Sequence, residues 1–202
     1  MGLAVAASLV FASLACADEL ITLQTRPGVT QSVLLWEPHD PSPETVILLI
    51  PGGSGNIGLT VKDGHAQAER PHLFSSQREA LLQAQFAVAV VDAPSDQEDM
   101  TQDFRMSAQH ATDMQAVVHE IRTRFPKARL VLMGHSRGTV SVGHIAPYVS
   151  DQLSAIVLLS GLYQVSQASA QISSGGPGLS KVDLPALKLP ILLVHHANDA
   201  CQ

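Results

Sequence analysis

The sequence predicts an α/β fold built on a mostly parallel sheet with helices on both faces. Three observations carry this. Short, almost wholly apolar runs recur along the chain, as strands buried on both faces require. Helical patterns or loops separate them, so the order reads strand, turn, helix, strand. The composition is globular, with 46% hydrophobic and 15% charged residues in 202, enough for one domain with a real core.

The elements follow in order. Met1 to Ala17 carries no charged side chain and closes with Ala15-Cys16-Ala17 before Asp18-Glu19. Small residues after an apolar stretch mark a secretory signal, too short for a membrane span. Residues 1–17 are therefore expected to be a signal peptide, although no Lys or Arg precedes the apolar run. A buried N-terminal helix and an acylated Cys16 are the alternatives; Ser13 stands where a lipoprotein signal carries Leu. Residues 18–202 form the domain and are expected in the periplasm or outside the cell.

Strands are expected near Leu20 to Gln24, Gln31 to Glu37, Thr45 to Ile50, Ala87 to Val91, Leu130 to Met133, Ala155 to Leu159 and Ile191 to Val194. A helix is expected from about Ser107 to Arg124, where Ala108, Ala111, Met114, Val118 and Ile121 form one apolar stripe and Pro126 ends it. His110 and Asp113, one turn apart on that helix, read as a solvated face rather than as metal ligands, because no third ligand is evident. Thr139 to Ala146 also reads as a helix. Residues 164–190, rich in Ser, Gln and Gly, read as a plain connection.

Three segments carry chemistry. Gly134-His135-Ser136-Arg137-Gly138 matches the G-x-S-x-G nucleophile elbow, between a buried strand and a helix. Such a turn strains the serine backbone and lifts its Oγ above the sheet at a helix N-terminus, where developing negative charge is favoured. Pro51-Gly52-Gly53-Ser54-Gly55-Asn56 follows the strand ending at Ile50. Its backbone N–H groups can approach a developing oxyanion, Gly53 the first choice and Ser54 the second, with the Arg137 N–H as the other donor. A phosphate cradle is the rival, since Gly53, Gly58 and Thr60 fall at P-loop spacing. It is discounted because Leu59 stands where the Lys should be. Asp199, just past the strand Ile191 to Val194, is the candidate acid. Asp183 and Asp151 compete less well, because neither directly follows a buried strand.

On these residues the chain resembles the α/β-hydrolase superfamily, from roughly Leu20 to Gln202. The resemblance implies a Ser–His–Asp triad and an oxyanion hole, carried here to Ser136, Asp199, Gly53 and Arg137. It also implies hydrolysis of an ester, thioester or amide, with no metal and no cofactor. In this superfamily the histidine follows the acid on a later loop. Only Ala200, Cys201 and Gln202 follow Asp199, so the catalytic histidine is expected beyond Gln202 and the fold is expected to be incomplete at its C-terminal end. Such a chain would expose a sheet edge and associate. None of the nine histidines present, His195 and His196 included, is assigned the role of base.

The expected function is an exported serine hydrolase cleaving a small or medium ester through an acyl-enzyme, this chain alone being inactive. Peptidase or acyltransferase chemistry at the same residues, or a binding protein on this fold, are the alternatives. The expected partner is a small-molecule substrate. A net charge of −6 and a pI near 5.8 give nucleic acid no basic footprint. Without Cys16, Cys201 would be an odd cysteine; pairing in absent sequence and a plain apolar role are equal readings.

Overall fold

The computed structural model describes residues 18–38, 43–163 and 176–198. The expected signal, both cysteines, Asp199 and the first part of the Ser- and Gln-rich connection, residues 164–175, lie outside the described residues.

Nine strands and four helices are described: β1 (Glu19–Arg26), β2 (Val29–Trp36), β3 (Thr45–Ile50), β4 (Leu59–Lys62), β5 (His65–Ala68), α1 (Arg78–Gln83), β6 (Phe86–Val91), α2 (Gln102–Arg105), α3 (Ala108–Arg124), β7 (Arg129–His135), α4 (Gly138–Val149), β8 (Ala155–Leu159) and β9 (Ile191–Val194). Seven strands form one sheet in the order β1-β2-β6-β3-β7-β8-β9. The pairs β1–β2 and β2–β6 are antiparallel, and every later pair is parallel. The apolar runs lie in the middle. All six residues of β3 are buried, because helices cover both faces. On one face α3 and α4 contribute Met114, Val118, Ile121, Val142 and Ile145 to the larger core. On the other, Leu82 of α1 packs with Leu34, Trp36, Leu49 and Val88. There Trp36 stacks on His72 at 5.6 Å, and the Arg78 guanidinium lies 5.8 Å from its ring centre.

Each expected strand is present, and α3 starts one residue after Ser107, whose side chain caps it by accepting from the His110 N–H at 3.2 Å. The helix after the elbow continues through Pro147 to Val149. The sequence reading lacked the β4–β5 hairpin, α1 and α2, all short and without a clear period. Leu184–Leu187, within the expected plain connection, forms a 3-10 turn that Asp183 caps by accepting from Ala186 N–H.

The connectivity positions the site. From β3 the chain passes to β6 on one side, then crosses to β7 on the other. In an open α/β sheet the crevice forms where the strand order reverses, at the carboxyl ends of the strands. The loop after β3 and the turn after β7 both open there.

Candidate active site

The β3–β7 register pairs Ile50 with Gly134, so the two loops that leave these strands start side by side. Ser136 has φ 52°, in the left-handed region that non-glycine residues rarely occupy. Its N–H donates to the Leu159 carbonyl at 2.9 Å. Its own carbonyl accepts from Thr139 N–H at 3.0 Å and from the Thr139 hydroxyl at 2.6 Å.

The motif glycines have a steric reason. A Cβ on Gly134 would lie 2.6 Å from the Gly138 carbonyl oxygen, and one on Gly138 would lie 2.1 Å from the Ile50 oxygen. Both obstacles are backbone. At Gly52 a Cβ would stand 2.9 Å from Ser136 Cβ and 2.8 Å from the His135 oxygen, so the glycine loop lies directly against the serine. Gly53 follows with φ 58° and open space beside it. The Gly55 N–H closes a turn onto the Gly52 carbonyl at 3.0 Å.

Side chains to which the sequence reading gives no role hold this loop. Asp92, buried just after β6, accepts from the N–H groups of Ile57 and Leu59, both at 2.7 Å, and of Ala93 at 2.8 Å. Met100 donates its N–H to the Ser54 carbonyl at 2.8 Å. Its carbonyl accepts from Arg105 Nε at 3.1 Å and from Arg137 Nη2 at 2.9 Å. Arg137 also pairs with Asp99 at 3.2 Å. Arg105 is fully buried. Nη1 donates to Ser141 Oγ at 3.0 Å and to the Pro51 carbonyl at 3.4 Å, and Nη2 donates to the Gly53 carbonyl at 3.2 Å. No carboxylate pairs with it among the described residues. Burial, and secondarily the charge of Arg137, push its guanidinium down to about 9.

His110 corrects the sequence reading. It and Asp113 are fully buried rather than solvated. The ring Nε2 shares a hydrogen bond with Ser141 Oγ at 3.0 Å. Burial, then the charges of Arg105 and Arg26, push its pKa down to about 3. Asp113 accepts from Arg26 Nε at 2.8 Å and Nη2 at 3.0 Å. Asp92 had a legible signal, a carboxylate directly after a buried strand. Arg105 had none: a lone Arg in a four-residue helix.

Of the sequence-predicted residues, Ser136, Arg137 and Gly53 converge at the switch point, and Asp199 is outside the described residues. His195 and His196 follow β9, beside β8 at the same sheet edge. The ring of His195 meets Tyr163 edge-on at 5.8 Å. Among the described residues no cluster of three or more His, Cys, Asp or Glu could hold a metal ion. A groove of about 240 Å³, lined by Ser32, Asn56, Asp92, Ser95 and Glu98 among others, opens beside the glycine loop.

No curated protein matches the sequence. Solved structures do. Est1E from Butyrivibrio proteoclasticus is 22% identical, at TM-score 0.49, over 68% of this chain and 49% of its own. A cold-adapted esterase from an Arctic intertidal metagenomic library is 16% identical, at TM-score 0.54, over 86% of this chain and 69% of its own. The acylaminoacyl peptidase of Pyrococcus horikoshii is 14% identical, at TM-score 0.55, over 92% of this chain and 33% of its own. The chain thus spans from a third to about two thirds of these proteins. At such identities the likeness to the two proteins above TM-score 0.5 is one of fold, and the fold is that of the α/β-hydrolases. Residues 68–199, more than half of the chain, match the model of one family within that superfamily; the chain belongs to the serine aminopeptidase, S33, family.

Proposed function

We propose that this chain carries the nucleophile and oxyanion hole of an exported serine hydrolase that cleaves a small or medium ester through an acyl-enzyme. The observation that carries the reading is Ser136 at φ 52°, on the strand-to-helix turn, with Gly52 packed against its Cβ. In the proposed reaction Ser136 Oγ attacks the acyl carbon as a histidine takes its proton. Backbone N–H groups of Gly53 and Arg137 hold the oxyanion. The tetrahedral species collapses, the ester C–O bond breaks and the histidine returns the proton to the leaving alcohol. Water then repeats the sequence on the acyl-enzyme. Asp199 orients the histidine.

The net charge of −6 disfavours acidic substrates at long range. Among the described residues no helix is long and apolar enough to cross a membrane; export would rest on residues 1–17, and N-terminal sequencing of the exported protein should begin at Asp18. In the full-length protein, Ser136→Ala should abolish both hydrolysis of a chromogenic short-chain ester and the mass adduct left by a fluorophosphonate. Activity retained in that variant sinks the assignment. The family description favours a second reading, cleavage of an aminoacyl amide at the same serine. A rate on aminoacyl amides exceeding that on esters would replace the first reading with it.

A further inference from the structure

The glycine loop is held in an unusually complete way. Four consecutive carbonyls have partners: Pro51 and Gly53 accept from Arg105, Gly52 accepts from Gly55 N–H, and Ser54 accepts from Met100 N–H. A peptide unit is planar and trans, so fixing a carbonyl also fixes the following N–H, which points the opposite way. The N–H directions of residues 52 to 55 are therefore set by these four bonds. Arg105 makes two of them itself. Its Nε also donates to the carbonyl of Met100, the residue that makes a third. The same carbonyl accepts from Arg137, the residue proposed to supply the other oxyanion donor.

We propose that Arg105 is a positioning residue for the oxyanion hole, a buried clamp that orients the N–H groups of loop 51–55 and joins that loop to Arg137. The inference deepens the hydrolase reading and rests on it for its catalytic part. A guanidinium suits the task because its five N–H donors lie in one rigid plane and its charge persists when buried. Here the donors reach Met100, Pro51, Gly53 and, at the far side, Ser141 Oγ, which shares a hydrogen bond with His110. With no carboxylate partner among the described residues, its positive charge is left to act on the loop and on any anion forming there.

The test uses the full-length protein and three variants: Arg105→Met, Arg105→Lys and Ser141→Ala. Reaction of Ser136 with a fluorophosphonate, ester kcat and KM, and amide exchange of residues 52–57 are measured on each. Arg105→Met should label roughly 100-fold more slowly, the scale of a lost oxyanion donor, with kcat lowered and KM unchanged. Arg105→Lys should recover roughly tenfold of that loss, because a single ammonium replaces the charge but not the fork. In both, amide exchange in 52–57 should quicken while that of β3 and β7 holds. Labelling and exchange within twofold of the parent in a folded Arg105→Met would overturn the clamp. If that variant does not fold, Ser141→Ala decides: it keeps the guanidinium but frees one side of it, and unchanged exchange and labelling there also overturn the proposal. If the parent itself does not label, the hydrolase reading fails, and exchange in 52–57 still decides whether Arg105 holds the loop.

Discussion

A methyl group on Gly52 would press on the His135 carbonyl oxygen at 2.8 Å and on Ser136 Cβ at 2.9 Å, and neither can retreat without opening the elbow. Gly52→Ala should therefore lower stability by about 2 kcal/mol and the labelling of Ser136 by on the order of 100-fold, read by thermal melting and by mass. Gly53→Ala is the contrast. Its new methyl meets nothing within 4 Å, so it should cost only the left-handed backbone conformation, about 1 kcal/mol. The G-x-S-x-G motif was legible because its glycines answer to local sterics: strand, sharp turn and helix are contiguous in sequence. Gly52 and Arg105 were not legible in the same way. Their roles come from atoms 50 to 85 positions away, brought near by a strand register that the sequence does not display.

Among the elements, α3 shows why a helix can mislead. Its apolar stripe was clear, and His110 and Asp113 lie beside rather than on it. A helix packed against the sheet alone would leave that flank in water. Here α4 and the end of β1 cover it as well; His110 Nε2 shares a hydrogen bond with Ser141 and Asp113 pairs with Arg26, while His110 Nδ1 has no hydrogen-bond partner among the described residues. The consequence is a pH dependence of stability. His110 is held at about 3 in the fold against about 6.5 unfolded. Between these values the unfolded chain binds a proton that the folded chain refuses, so stability falls as the pH drops through that window. Burial sets the sign, and the charges of Arg105 and Arg26 oppose the proton further. Roughly 3 kcal/mol should be lost by pH 4, measured by urea unfolding, and His110→Gln should flatten the slope. Asp92 makes a second case at this scale. Asp92→Asn replaces an acceptor of three N–H groups by one that must turn a donor toward them. It should cost about 1–3 kcal/mol, seen in the melting temperature, with faster exchange at Ile57 and Leu59.

For the molecule as a whole, the fold class and every strand of the main sheet were readable from apolar runs, whereas strand order was not. Order depends on which side of β3 each crossover lands, and apolar content is the same on either side. At the far edge of the sheet β9 presents Leu192, Leu193 and Val194, at 56%, 54% and 43% exposure. An exposed apolar edge strand invites pairing with another chain. Light scattering of purified protein should show concentration-dependent association, and Leu193→Lys should reduce it; a monodisperse parent would contradict this.

Trp36 is the chain's single tryptophan, and it stands in the core layer beneath α1, across the sheet from α3 and α4. Its emission is therefore a built-in optical reporter for one layer only. Followed beside far-ultraviolet dichroism, which weighs the helices of the opposite layer, it separates loss of the β4–β5 and α1 covering from global unfolding without any added label.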